Sequence, residues 1–468
     1  MTHLVRSHRR PAPPPMPTTA KSTRYRRKRA RPVGAAARPP SEIAVVGAGI
    51  VGLSVAWFLQ ERGVEVTVYD ADHAARGASW GNAGWLTPAL TTPLPEPDVL
   101  RYGLKTALRP SSPVFVPPRL DPHLWRFLGG FAAHCTTRRW QAGMTAYTPL
   151  NRLAIRAFDD LADAGATPRA RQARPFLACF RTTSEAGDFI GHLRQIQQAG
   201  QSVYFDYLTG PQVRQAQPAL SEDVDAAVLL HGQRFVHPPH FVRSLAHSVI
   251  ARGGKLNEWT RIVGIDTEAT AVHLLDNGGA RHRHDAVVLA TGAALTRLAR
   301  DHGVRRLVQA GRGYSFTVLG DEIPQAPVYF PQQRVACTPL HEPVDPSGVA
   351  APNLSEQTAE RLRVAGMMEF RDPSEPLDPR RIRAIVDSVR SLLPGVDMDQ
   401  RHDEWVGSRP CTTDGLPLIG VTNSPRVFVA GGHGMWGMAL GPVTGKLLAE
   451  QITSGTVPTP LAPFHPLR

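Results

Sequence analysis

Ile43-Ala-Val-Val46, Gly47-Ala-Gly49-Ile-Val-Gly52 and Val64-Glu-Val-Thr-Val-Tyr69-Asp70 decide the fold of this chain. A short apolar strand runs straight into a glycine-rich turn, and a helical pattern follows to Arg62, where Gly63 stops it. A second strand then ends on an acid. That is a β-turn-α-β unit of about 30 residues with the acid in register. Gly47 permits the tight turn, Gly49 lets backbone approach a pyrophosphate, and Gly52 lets the helix pack on the strands. Ala48, Ile50 and Val51 complete the turn and the first helical residues, whose free N–H groups suit phosphate. Asp70, followed by Ala71, is placed to accept hydrogen bonds from ribose hydroxyls. The pattern predicts a dinucleotide site.

Outward from this unit, 468 residues exceed the size of one ordinary core, so two domains are expected. Hydrophobic residues make up 42% and charged residues 20%, which is an ordinary globular balance. The net charge of +13 hints at nucleic acid or anionic membrane, but its location weakens that reading. Residues 1–40 hold eleven Lys and Arg and no acid, leaving only +2 for the rest. That Pro- and Arg-rich tail is expected to be disordered, and it lacks the apolar centre of an export signal. No specific nucleic-acid partner is predicted. The scattered Cys135, Cys179, Cys337 and Cys411 form no Cys-x-x-Cys pair, which argues against zinc and fits a reducing compartment. No run approaches about 18 uninterrupted apolar residues, so a cytoplasmic protein is expected, with peripheral membrane contact as the alternative.

Arg76-Gly77-Ala-Ser79-Trp-Gly-Asn82-Ala83-Gly84 follows the acid, and Asp285-Ala-Val-Val-Leu-Ala-Thr291-Gly292 forms a further buried strand. Near the end stand Trp405-Val-Gly-Ser-Arg409-Pro410, Asp414-Gly-Leu-Pro-Leu-Ile-Gly420 and Gly431-Gly432-His433-Gly434-Met435-Trp-Gly437. A helix from about Pro442 to Ile452 follows the last of these. In order and spacing these stretches resemble the FAD-dependent D-amino acid oxidase superfamily, especially its D-amino acid dehydrogenase-like branch. The resemblance covers about residues 41–455. It implies a Rossmann-like FAD-binding domain interleaved with a mixed-sheet substrate domain, an α/β two-domain flavoprotein. The FAD side would comprise residues 41–100, 225–305 and 400–456, and the substrate side residues 101–224 and 306–399. Arg76, Gly77, Ser79, Asn82, Ala83 and Gly84 would embrace the cofactor. Val263, Thr291 and Gly292 would meet its adenosine side, and Gly432, His433, Gly434, Met435 and Gly437 its flavin edge.

The implied reaction takes the α-hydrogen of a small amino acid, best a D-amino acid, as hydride to flavin N5, giving 2-oxo acid and ammonia. Such a site must hold a carboxylate, and a guanidinium does that best. Arg409 matches the arginine of the family's Arg-Pro turn. Tyr314, in the family-like Gly311-Arg312-Gly313-Tyr314 element, is the second candidate for catalysis and substrate binding, and Arg312 a weaker one. Met435 and Trp436 stand where some glycine-oxidising relatives carry an arginine, which predicts a more apolar pocket. Reduced flavin would pass its electrons to a quinone or another acceptor; oxidation of a secondary-amine acid such as sarcosine, proline or hydroxyproline, and electron transfer to O₂, are the alternatives.

Overall fold

The first sheet follows directly from the opening unit. It has six strands in the order Lys255–Asn257, Glu65–Tyr69, Glu42–Val46, Ala286–Leu289, Val427–Gly431 and Leu418–Val421. The first five run parallel and the last returns antiparallel. Ile43, Ala44 and Val45 are wholly buried, as the continuous apolar run of a strand covered on both faces requires. These are features of a computed structural model, which describes residues 39–106, 112–118, 120–320, 322–340 and 361–468. The disorder expected of residues 1–40 concerns, up to residue 38, a stretch outside the described residues.

The helix Ile50–Gln60 lies buried between this sheet and the closing helix Gly437–Ser454. The two helices touch backbone to backbone. A side chain at Gly445 would lie 2.5 Å from the carbonyl carbon of Ser54, and one at Gly441 would lie 2.9 Å from Ile50. Trp57, Phe58, Leu440 and Leu448 pack beside this contact in one core.

The second sheet is larger and roofs the first element's loops. Its nine strands place Arg401–Thr412, Val308–Leu319, Arg361–Phe370 and Val335–Leu340 side by side. The helix Pro379–Val389 covers one face, where Ile382, Ile385 and Val389 meet Phe316, Val318, Leu362 and Val364. The other face carries the alternate residues Gly311, Gly313, Ser315 and Thr317. Two segments grouped with the cofactor half on sequence grounds, Ala226–Leu230 and Arg401–Thr412, pair in this large sheet instead. Arg409-Pro410 is therefore not a turn but the interior of a strand, opposite Gly311 and Ala310. Thr137–Asp163 is one helix of 27 residues with Pro149 inside it. The proline costs one intrahelical bond, and burial of Trp140, Tyr147, Leu150 and Phe158 carries the helix through.

Gly445→Val should lower stability by about 1–3 kcal/mol through overpacking against Ser54, read as a shifted denaturant midpoint. An unchanged midpoint would mean the two helices can part at no cost.

Candidate functional site

The turn after the first strand is tightly fixed. Gly47 donates its N–H to the Tyr69 carbonyl at 2.7 Å and has φ of +115°. A side chain there would stand 2.4 Å from the Ala290 carbonyl oxygen, so only glycine fits. Asp70 accepts from Ala48 N at 2.6 Å through one carboxylate oxygen and from Asp72 N at 3.0 Å through the other. Burial raises its pKa, and the backbone donors oppose that rise. The carboxylate is thereby aimed, at the end of its strand, where a ribose would lie.

The helix that begins at Ile50 has no side-chain cap from Gly49. Ser79 reaches back instead, its Oγ accepting from Ile50 N at 3.2 Å. Its loop is held by Gly84 N donating to Asn82 Oδ1 at 2.8 Å and by Thr338 Oγ1 donating to the Ala83 carbonyl at 2.8 Å. Arg76 and Gly77 are exposed, while Ala71 is half-buried beside Asp70. Thr291 follows the Ala290 carbonyl that crowds Gly47, and its hydroxyl is buried with no partner among the described residues. A helix N-terminus at which Ser79 takes only the first N–H, a glycine turn that admits close approach and an orphaned hydroxyl beside it fit a dinucleotide such as FAD. Gly292, with φ of +55°, continues that turn. Val263 does not join the group. It is 43% exposed, whereas its neighbour Ile262 packs with Tyr69.

The second glycine loop meets the large sheet. Cys411 and Thr412 line a small pocket together with Gly432, His433, Gly434 and Met435. Gly437 begins the closing helix, which has no side-chain cap either, so its positive end lies open at this loop. His433 is buried, its Nε2 paired with Thr444 Oγ1 at 3.0 Å, and burial alone pushes its pKa down to about 4. It is neutral at pH 7. Burial pushes the Cys411 thiol up to about 12, so it stays protonated.

Arg409 projects from the same strand as Cys411 onto the same face. Its guanidinium lies across Gly313, where an added side chain would collide with it at 2.2 Å. Nη1 donates to the Met367 carbonyl at 2.8 Å. That carbonyl is offered by a β-bulge: Arg312 faces Glu369 and Tyr314 faces Gly366, so Met367 is extra and adopts φ of +60°. Among the described residues no carboxylate pairs with Arg409, and burial pulls its pKa down. It has donors to spare for an incoming carboxylate.

Tyr314 and Arg312 are not brought to this face. Tyr314 is fully buried on the opposite side, donating to Glu369 Oε1 at 2.5 Å. Arg312 lies 3.6 Å from the same carboxylate and donates to the carbonyls of Asp372 and Pro376. Successive strand residues point to opposite faces, so Gly313 and Tyr314 cannot serve the same side. Both side chains belong to the roof's far layer. Three further residues reach the near face, Ser315, Arg363 and Trp405, and the one local signal among them is a lone arginine inside the apolar run Leu362–Met368.

Over residues 42–451 the chain matches the family described as FAD dependent oxidoreductase (DAO). D-amino acid dehydrogenase 1 of Mesorhizobium japonicum is 29% identical over 426 residues, covering 89% of this chain and 96% of that protein. D-amino acid dehydrogenase of Rhodopseudomonas palustris is 28% identical over 425 residues, covering 88% and 94%. Among solved structures, glycine oxidase from Geobacillus kaustophilus superposes with a TM-score of 0.66 at 21% identity, covering 91% and 98%. L-proline dehydrogenase from P. horikoshii gives 0.63 at 18%, covering 92% and 98%.

With a folded pKa near 4, His433 lets the unfolded chain bind an extra proton between about pH 4 and 6.5. Its contribution is complete above 6.5 and declines as pH falls through that window. His433→Gln should therefore lose less stability than the parent between pH 7 and 5, measured by denaturant midpoints at each pH.

Proposed function

Because the chain belongs to the family of FAD-dependent oxidoreductases, we propose that it oxidises small D-amino acids to their imines, which water converts to 2-oxo acid and ammonia. The observation that carries this reading is Arg409. It is a guanidinium without a carboxylate partner among the described residues, beside the pocket formed by Cys411 and the Gly432–Met435 loop. The bound FAD supplies the hydride acceptor.

The chain's own residues bind and orient. Arg409, anchored by Nη1 to Met367, turns its remaining N–H groups toward the substrate carboxylate in a fork that a lysine cannot reproduce. Fixing the carboxylate leaves the α-carbon one bond away from a defined point, and such positioning supplies much of the rate. His433 and Cys411 add no charge near neutral pH, since one is held unprotonated and the other protonated. The open end of the Gly437–Ser454 helix would favour negative charge on a flavin held beside it. Phe127, Phe131, Met368 and Met435 form an apolar cluster with Cys411, which excludes water and suits a substrate of modest size. The two relatives carry the word dehydrogenase, which supports an acceptor other than O₂. No helix of the described residues is long and apolar enough to cross a membrane.

Anaerobic mixing with D-, L- and N-alkylated amino acids tests the reading directly through loss of the flavin's visible absorption. D-amino acids should bleach it fastest; bleaching by sarcosine or proline alone would overturn the substrate class. Arg409→Lys should raise KM at least about tenfold with FAD still bound, and an unchanged KM would remove Arg409 from the site.

A further inference from the structure

Arg363 is the least explained charge in the molecule. It is 2% exposed, on the Arg361–Phe370 strand, with its guanidinium 5.2 Å from the centre of the Trp80 ring. Nε donates to Thr317 Oγ1 at 3.1 Å, while Nη1 is buried with no partner among the described residues. Among the described residues no carboxylate forms an ion pair with it. The exposed Asp403 acts on it only through space, and the neighbouring His237 is held neutral, burial pushing its pKa down to about 3. A buried guanidinium with an idle N–H group is costly unless something anionic completes it.

Register puts this arginine on the face that carries Arg409. Arg363 pairs with Thr317, and Ser315 pairs with Ala365 on one side and Trp405 on the other. Between the two arginines the face is lined by small residues, Gly313, Ser315 and Ala365. Ser315 is wholly buried and its hydroxyl, too, has no partner among the described residues. Trp405 closes the trough's edge, its ring pressed on Gly407 and on Gly81 of the cofactor loop.

We propose that Arg363 and Ser315 form a second anion subsite, which receives a carboxylate at the end of the substrate's side chain. This rests on the preceding reading, in which Arg409 holds the α-carboxylate. The spacing suits it. Arg409 lies at Gly313 and Arg363 at Thr317, four residues and about 13 Å apart along the strand. Two guanidinium–carboxylate pairs take roughly 4 Å each, leaving about 5 Å, the carbon span of a five-carbon dicarboxylic acid. D-glutamate is the substrate of that length. Placing its side-chain carboxylate there satisfies Arg363 Nη1 and the Ser315 hydroxyl together.

The test uses the FAD-loaded full chain and two unreactive probes, glutarate and butyrate, titrated against the flavin's visible spectrum. Glutarate should bind at least about tenfold more tightly than butyrate. Arg363→Met should abolish that difference and raise the ratio of KM for D-glutamate to KM for D-alanine at least about tenfold. Should that variant fail to fold, Ser315→Ala should weaken glutarate binding several-fold, and Arg363→Lys should retain part of it. Equal affinity of the parent for glutarate and butyrate overturns the subsite. So does an Arg363→Met effect that is the same for both substrates or consists of FAD loss, since Arg363 would then serve the cofactor or the core. Reduction by D-alanine but not by D-glutamate also overturns it while leaving the preceding reading intact. Reduction by neither defeats that reading, and the glutarate titration still decides the subsite.

Discussion

The molecule is organised around the closeness with which the turn at Gly47 passes the Ala290 carbonyl. Three strand ends converge there: Gly47 is tied to Tyr69, Ala290 N to Val46, and Ala48 to the Asp70 carboxylate. That convergence leaves backbone N–H groups and the start of a helix facing one small volume, which is what an anionic dinucleotide needs. The Ile50–Gln60 helix must then lie flat on the sheet, and the closing helix must press against it at Gly445. The loop that begins the closing helix is carried to the pocket beside Cys411 and Thr412 as a result. One steric constraint at the first turn thus sets the position of the last loop, some 390 residues later in the chain.

The roof sheet solves a different problem, which is to hold an arginine ready without neutralising it. Arg409 leans on a backbone carbonyl rather than a carboxylate, so its charge remains available. The Met367 bulge that offers this carbonyl is held from behind. Arg381 donates to the Met368 and Ser112 carbonyls, and the Glu369 carboxylate, buried beside Arg312 and Arg371, fixes the adjoining residue. Tyr314 belongs to that supporting layer through its bond to Glu369. Its place near the site is real, but it acts on the far side of the sheet.

The cofactor half was legible because its signals are local. Gly47 to Gly52, Asp70 and the Gly431–Gly437 loop each lie in contiguous stretches whose turn chemistry demands particular residues. The roof was less legible because its meaning depends on which face a residue takes, and adjacent residues differ completely in that respect. Tyr314 stands beside Gly313 in sequence yet lies on the opposite side of the sheet from Arg409. Helix 137–163 runs through Pro149 because buried aromatic residues, which local propensity does not register, offset the ring's cost. Arg363 had no local signal beyond its apolar company. Only the pairing of its strand with Thr317 shows where it points.

The bulge at Met367 also works as a change of parity. In an unbroken strand Arg363 and Glu369, six residues apart, would share a face, and an acid would stand among the arginines that face the cofactor loops. The extra residue reverses the alternation, so that Leu362, Val364 and Met367 look one way while Met368 looks the other and Glu369 turns back toward Tyr314. Cation and anion are sorted to opposite sides of one sheet by the insertion of a single residue. Removing that residue would do more than shorten a strand: it would carry the acid across the sheet and set the protein's own carboxylate on the face that holds Arg409 and Arg363.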